Sequence, residues 1–553
     1  MRTSSKISVS ILLVFITSIL INAQENNAQA DEPSTSVIKL SGQIGLYGEL
    51  YSISGKDSRR PPATGRLFFR PTLTILDNFS INFDFLLSTE GSYARQQINR
   101  ISLHPEWSWG RAHIGDFSRQ FSRFTLNGET ITGGGIELFP GSFRFEVIGG
   151  RTRRKTDNGI NSTYARYLGG MKIGIMNSKG FNFNISVIKA KDDVASLPKR
   201  EPDDSTNIRY SSTPKEDLVI GLDTKFNITK FFTFNGEVAA SALTRDLYST
   251  EIESEEIPSF VTDIYKIRTS TNADYAYQTG LRFNSNTFNA GVNYLVINPG
   301  YQSLGLTTNM NDLRTISTNA SLRLLGRKLT LSGNYKIQNN NLLSQKEFTL
   351  TRHNFGASVR YQPIRTVSLG FNATRYIMEN DAEEEERRIE NVVSSFAVNG
   401  LWQLKVSRMT HSITASYSHQ KSEDMNILRS DYSTISDNIN FGISSMISDT
   451  WTIAPRLTFN TFNLTNKFNQ KTQTYSLMVA NRLRKVKLNN SLTFTYMNSS
   501  YIRSMVMILQ SGYHITKSDI VKLNLRSSFY FAKVDQTSDF NEYRATLNYY
   551  HRF

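Results

Sequence analysis

Cysteine is absent from the 553 residues. Disulfide scaffolds, thiolate zinc sites, thiol nucleophiles and a lipidated amino-terminal cysteine are therefore excluded. Long hydrophobic runs are missing too. Beyond the first two dozen residues no stretch offers the ~18 consecutive apolar side chains that a membrane helix needs. Hydrophobic residues are only 39% of the chain, a poor fit to the three or four soluble domains that its length allows. Disorder is excluded by what is plentiful: 34 Phe and 25 Tyr bring aromatics to 11%, and disordered chains are poor in them. Lys and Arg outnumber Asp and Glu by 63 to 48, a net charge of +15.

The amino terminus reads as an export signal. Arg2 and Lys6 precede a mostly apolar core at 7–21, and Asn22, Ala23 and Gln24 open a polar stretch. That core is too short to span a bilayer and lacks a stop-transfer flank. Cleavage after Ala23 gives a signal peptide at 1–23, a short periplasmic segment at 24–36 and one remaining domain at 37–553.

That domain alternates with period 2 almost throughout. In the last segment Tyr543, Ala545, Leu547, Tyr549, His551 and Phe553 interleave with Glu542, Arg544, Thr546, Asn548, Tyr550 and Arg552. Successive side chains of a strand point to opposite faces, so each segment has an apolar and a polar face. A soluble sandwich gives the same local pattern, and the connections decide between the two. Tight turns such as Asp77-Asn78, Gly326-Arg327, Ser407-Arg408 and Ser448-Asp449 alternate with long loops such as 118–132, 191–216, 244–273, 299–313 and 379–388. Short turns on one rim and long loops on the other predict an all-β, antiparallel, up-and-down transmembrane barrel of the outer membrane of a Gram-negative bacterium. The pattern predicts 26 strands, with 24 as the alternative because the segments between 97 and 150 are short. Pro71 and Pro455 fall inside strands, where bulges or strand ends are expected.

Trp107, Trp109, Trp402 and Trp451 all lie beside tight turns, where an interfacial aromatic girdle belongs. No catalytic motif is present: there is no G-x-S-x-G, H-E-x-x-H, P-loop or EF-hand pattern. His411 and His419 share the outward parity of one strand. The acidic runs Glu251, Glu253, Glu255, Glu256 and Asp381, Glu383 to Glu386 fall in long loops, where solvated surface is the plainer reading and divalent-cation binding the sharper one. On the missing motifs no enzyme, cofactor or metal is expected, and no nucleic-acid partner is expected because the basic residues are spread along strand faces.

The inward parity carries Arg66, Arg70, Arg144, Arg282, Arg323, Arg360, Arg456, Lys522, Arg526, Arg544 and Arg552 among Asn, Ser, Thr and Gln. They predict a wet, basic lumen that favours anions, unless carboxylates such as Glu49, Asp84 and Glu146 cancel the field. At ~4.8 Å between strands and ~40° of tilt, 26 strands enclose a circle roughly 50 Å across. Such a hole must be narrowed by loops, by an oval section or by a partner. The loop 118–132, with Arg119, Phe121, Arg123 and Phe124, is the candidate constriction; a surface-exposed loop is the alternative.

The Asn- and aromatic-rich alternation, the terminal Phe553 and the signal ending near Ala23-Gln24 resemble large outer-membrane barrels of Bacteroidetes-type bacteria. The stretches His113-Ile114-Gly115-Asp116-Phe117, 121–128 and Pro140-Gly141-Ser142-Phe143-Arg144-Phe145 are similar to segments of that group, some of whose members serve protein secretion. The resemblance implies that Phe553 is the signal read by the barrel-assembly machinery. It also implies membrane lipids as partners and leaves room for a plug or secretion partner. The plug of TonB-dependent receptors and the periplasmic domain of lipopolysaccharide-inserting barrels are not expected. The function read from the sequence is a porin-like channel for solutes or polymers. The alternatives are the barrel of a secretion or assembly machine, and a surface-binding or enzymatic barrel.

Overall fold

The alternation folds, in a computed structural model of the chain, into one 26-stranded antiparallel sheet. The structure describes residues 37–90, 99–157, 161–177, 180–197, 213–252, 263–429, 432–465, 467–534 and 538–553. The expected signal at 1–23 and the segment 24–36 lie outside the described residues, as do Glu253, Glu255 and Glu256.

The sheet opens with β1 (Ile38–Ser54), β2 (Ala63–Ile75), β3 (Phe79–Ser88), β4 (Arg100–Trp107), β5 (Gly110–Ser118), β6 (Thr130–Leu138) and β7 (Phe143–Arg153). It continues through β8 (Arg166–Met176), β9 (Asn182–Asp192), β10 (Glu216–Asn227), β11 (Phe232–Thr244), β12 (Thr271–Asn284) and β13 (Phe288–Ile297). Next come β14 (Leu313–Leu324), β15 (Leu329–Asn339), β16 (Leu350–Ile364), β17 (Val367–Asn380), β18 (Glu390–Val406), β19 (Met409–Asp424) and β20 (Thr434–Met446). The last are β21 (Trp451–Leu464), β22 (Phe468–Leu483), β23 (Leu488–Ser499), β24 (Ile502–His514), β25 (Asp519–Ala532) and β26 (Phe540–Arg552).

Each strand pairs with its neighbours in sequence, and β26 pairs with β1 from Gln43↔Arg552 to Ser54↔Asn541. The sheet is thereby a closed barrel, which leaves no edge strand unpaired. The 24-strand alternative is excluded, because the short segments between 97 and 150 each form a strand. Phe553 completes the seam: its N–H donates to Gly42 O at 3.2 Å, and Gly42 N–H donates to Phe553 O at 2.9 Å. Gly42 sits at φ +151°, and a Cβ there would lie 2.4 Å from Arg70 O, so the close approach to Pro71 needs a glycine.

The prolines correct one expectation. At Pro71 the β2–β3 ladder resumes in the same register, with Phe69↔Phe85 before the gap and Thr72↔Asn82 after it. Pro455 behaves alike, between Gly442↔Arg456 and Ser445↔Ile453. No bulge forms at either, because the missing N–H interrupts one ladder only, while Gly42↔Pro71 and Pro455↔Leu477 hold the other side. The register shifts instead between Tyr361 and Ile364, flanking Pro363, and between Arg151 and Arg153.

The outer face is a belt of exposed apolar side chains, among them Leu46, Ile185, Val292, Phe371, Val398 and Leu547. Trp109, Trp402 and Trp451 are about half exposed near the tight-turn rim, and Trp107 and Trp109 meet edge to face at 5.5 Å. Toward the other rim a second aromatic row appears, with Tyr335 against Phe355 at 4.7 Å, Phe396 against Tyr417 at 5.7 Å and Tyr475 against Tyr496 at 6.3 Å. Trp451 and Phe459, on the outer face of β21, are eight residues apart. At ~2.5 Å of height per tilted residue they bracket roughly 20 Å, close to the apolar band of a membrane barrel. No helix among the described residues is long and apolar enough to cross a membrane.

Candidate lumen constriction

The barrel has a hydrophobic core, and it lies on the inside of one wall. Residues 119–129, between β5 and β6, fold inward with Phe121 3%, Phe124 2% and Leu126 0% exposed. They pack on Ile148, Leu168, Ile188, Val219, Ala239 and Ala276 from β7 to β12. All of these share the inner parity, opposite the exposed Val147, Tyr167, Ile185, Ile220, Val238 and Tyr275. Glycines leave the space. A Cβ on Gly170 would meet Ile188 Cδ1 at 2.5 Å and Phe121 at 3.1 Å, and one on Gly221 would meet Thr125 Cγ2 at 2.5 Å.

Polar bonds hold the loop at several points. Arg119 Nε donates to Glu146 Oε1 at 2.5 Å, and its Nη2 donates to Glu137 Oε2 at 2.5 Å. Burial opposes the Arg119 charge, but the bond to Glu146 and the fields of Glu146 and Glu137 outweigh it and raise its pKa above the ordinary arginine value. Lys172 Nζ donates to Phe121 O at 2.5 Å, and Phe124 N–H donates to Glu237 Oε1 at 2.9 Å. Arg123 reaches Gln278 Oε1 at 2.9 Å.

A second loop, 298–312 between β13 and β14, seals the first, and sequence reasoning missed it. Tyr301 Oη donates to Phe124 O at 2.8 Å, Ser303 Oγ donates to Thr125 O at 2.7 Å, and Asn127 N–H donates to Gly305 O at 3.0 Å. Burial, with Asp217 and Glu237 nearby, raises the Tyr301 pKa, so its hydroxyl stays a donor. Leu304 N–H donates to the buried Asp217 Oδ2 at 2.8 Å. Beyond β14 the second loop bonds the β15–β16 connection, where Asp312 accepts from Leu342 N–H at 2.8 Å and pairs with Lys346. Among the described residues no hydrogen bond or ion pair carries either loop to the strands β15–β26 themselves. A cavity of about 280 Å³ between the loops is lined by Arg123, Phe124, Asn127, Tyr301 and Met310, among others.

The inner wall beside the loop base is densely charged. Arg66 pairs with Glu90 at 2.5 Å, Arg70 with Asp84 at 2.8 Å and Arg100 with Asp84 at 2.5 Å. His104 and His113 meet Nδ1 to Nδ1 at 2.8 Å, and His113 Nε2 lies 2.6 Å from Glu137 Oε1. Arg282, Arg323, Arg360, Arg456, Lys522, Arg526 and Arg544 stand on the inner face without an ion pair among the described residues. Arg526 and Arg544 oppose each other across β25 and β26, and Lys522 lies over the Tyr550 ring at 5.5 Å. From β17 to β22 the same face is mostly amide and hydroxyl, with bonds such as Thr374–Ser395 at 2.7 Å and Thr458–Asn440 at 2.6 Å.

His353, His411, His419 and His551 take polar partners. His411 bonds Ser445 and His419 bonds Asp437, both on the outer face as their parity predicts. Glu251 pairs with Lys266 and Arg268, and Glu384 and Glu385 pair with Arg387 and Arg388. No group of three or more side chains suited to a metal ion occurs among the described residues.

No protein-family model and no curated protein matches the chain. Among solved structures, the translocation pore of the P pilus usher PapC is similar with a TM-score of 0.38 and 8% identity, over 93% of this chain and 99% of that one. The siderophore receptor PirA from Pseudomonas aeruginosa is similar with a TM-score of 0.40 and 10% identity, over 93% of this chain and 80% of that one. OccAB4 from Acinetobacter baumannii is similar with a TM-score of 0.30 and 13% identity, over 68% of this chain and 97% of that one.

Proposed function

We propose that the protein is an outer-membrane channel whose lumen is narrowed along one wall by its own loops, and that it passes hydrophilic solutes or polymers with a preference for anions. Three features support a membrane-spanning barrel: the closed ladder, the apolar belt and the two aromatic rows. The observation that carries the channel reading is the burial of Phe121, Phe124 and Leu126 against the inner wall. A loop seated there narrows the passage, while the amide and hydroxyl arc from β17 to β22 leaves a wetted path. The unpaired inner cations supply the anion preference. Phe553 serves the assembly machinery, and the Trp residues anchor the tight-turn rim in lipid headgroups.

Purified protein in a planar bilayer tests this reading directly. Discrete conductance steps are expected from the protein alone. A silent bilayer together with a co-purifying chain would favour the secretion-machine alternative.

Orientation has its own test. Asp263→Cys and Glu384→Cys lie in long loops and Arg327→Cys in a tight turn. A membrane-impermeant thiol reagent on intact cells should label the first two and spare the third, with no native cysteine to interfere. Labelling of the turn position alone would invert the topology.

A further inference from the structure

A depression of about 830 Å³ crosses the outer face from β13 to β19. Its floor is made by Ala320, Gly333, Ala357 and Ala373, which oppose one another along one row of the ladder. Its walls are the Tyr335, Phe355 and Phe396 rings. The surface is sunken because side chains of one or no carbon stand between rings. Hydrocarbon must fill such a hollow in a bilayer, since an empty one forfeits its dispersion contacts.

One end of the groove is polar and is lined by Arg375 and His419. His353, Arg375, His419 and Lys421 stand at the edge of the apolar belt toward the long-loop rim, on the same face as Phe355 and Phe396. His353 has Glu379 at 3.6 Å, His419 has Asp437 at 2.8 Å and Lys421 has Glu423 at 2.5 Å. Arg375 opposes Phe355 and Ser394, lines the groove, is exposed, and has no ion pair among the described residues. A guanidinium at that depth meets the headgroup layer, where the available anion is phosphate, and its planar fork matches phosphate in a bidentate bond.

We propose that this groove is a binding site for a net-anionic, phosphate-bearing lipid of the leaflet at the long-loop rim, with an acyl chain over Gly333, Ala357 and Ala373 and the phosphate on Arg375. The proposal rests on the membrane-spanning reading but not on the channel. Native mass spectrometry of the detergent-solubilised protein tests it, titrating phosphatidylglycerol, phosphatidylcholine or inorganic phosphate. Wild type should retain phosphatidylglycerol at least tenfold better than phosphatidylcholine, and inorganic phosphate should not compete at equal concentration. Arg375→Gln should abolish the preference while leaving weak binding of both lipids, and Ala373→Leu should remove both by filling the floor. Equal retention of the two lipids, an unaltered preference in Arg375→Gln, or displacement by phosphate would overturn the site. So would a dimer that Ala373→Leu dissolves, which would give the groove to a second copy. Failure of wild type to show a heat-dependent gel shift would instead count against the membrane barrel, and each variant must show that shift to be scored.

Discussion

Phe124→Ala should release the inward loop and raise single-channel conductance several-fold while the barrel stays assembled. The ring is 2% exposed and meets Tyr301 at 6.1 Å. Truncating a buried Phe costs about 3 kcal/mol or more. At about 1.4 kcal/mol per tenfold, the undocked population would rise on the order of a hundredfold. None of that energy belongs to the strand ladder, so heat-modifiable migration should persist. Arg119→Gln acts from the other end, because it leaves Glu137 and Glu146 opposed on β6 and β7 with their bridging cation gone. The two variants together should convert a narrow conductance distribution into a broad, larger one. Wild-type conductance in both would mean that residues 119–129 do not limit the current.

That loop also shows where the sequence was legible and where it was not. Strand number and position followed from period 2 and from turn length, which are local properties. The 26 expected strands are the 26 found, and the short segments between 97 and 150 each form one. The loop at 118–132 could be nominated because it leaves a region of short strands and carries Phe121 and Phe124 beside Arg119 and Arg123. Its partner at 298–312 could not, since Tyr301, Ser303 and Leu304 look like ordinary loop residues until Asp217, Thr125 and Phe124 are placed beside them across the lumen. A usable signal was present in the wall itself. Inner positions that are polar elsewhere read Ile148, Gly170, Ile188, Val219 and Ala239 here, so apolar and small residues on both parities of β7–β11 mark where something docks. The outer row of Tyr and Phe was overlooked in favour of Trp, although tyrosine serves an interface equally well.

Ion selectivity separates the charges that matter from those already neutralised. Arg66 and Arg70 are spent on Glu90 and Asp84, so their loss should move selectivity little. Arg282, Arg323, Arg360, Lys522 and Arg526 carry no such partner among the described residues and share the inner face. Their field reaches a Debye length of ~8 Å into the lumen at physiological salt and further as salt is lowered. Replacing these five residues together by Gln should therefore bring the reversal potential across a salt gradient from an anion-preferring value to near zero or past it. The wild-type preference should be strongest at low salt. Assembly should be spared, because inner positions do not meet lipid. Replacing Arg66 and Arg70 by Gln serves as the contrast, since it removes two cations already paired with carboxylates, with Asp84 still held by Arg100, and should shift the potential far less than the five-residue variant. A conducting five-residue variant with unchanged selectivity would remove these side chains from the mechanism and return the preference to the charged wall beside Arg119.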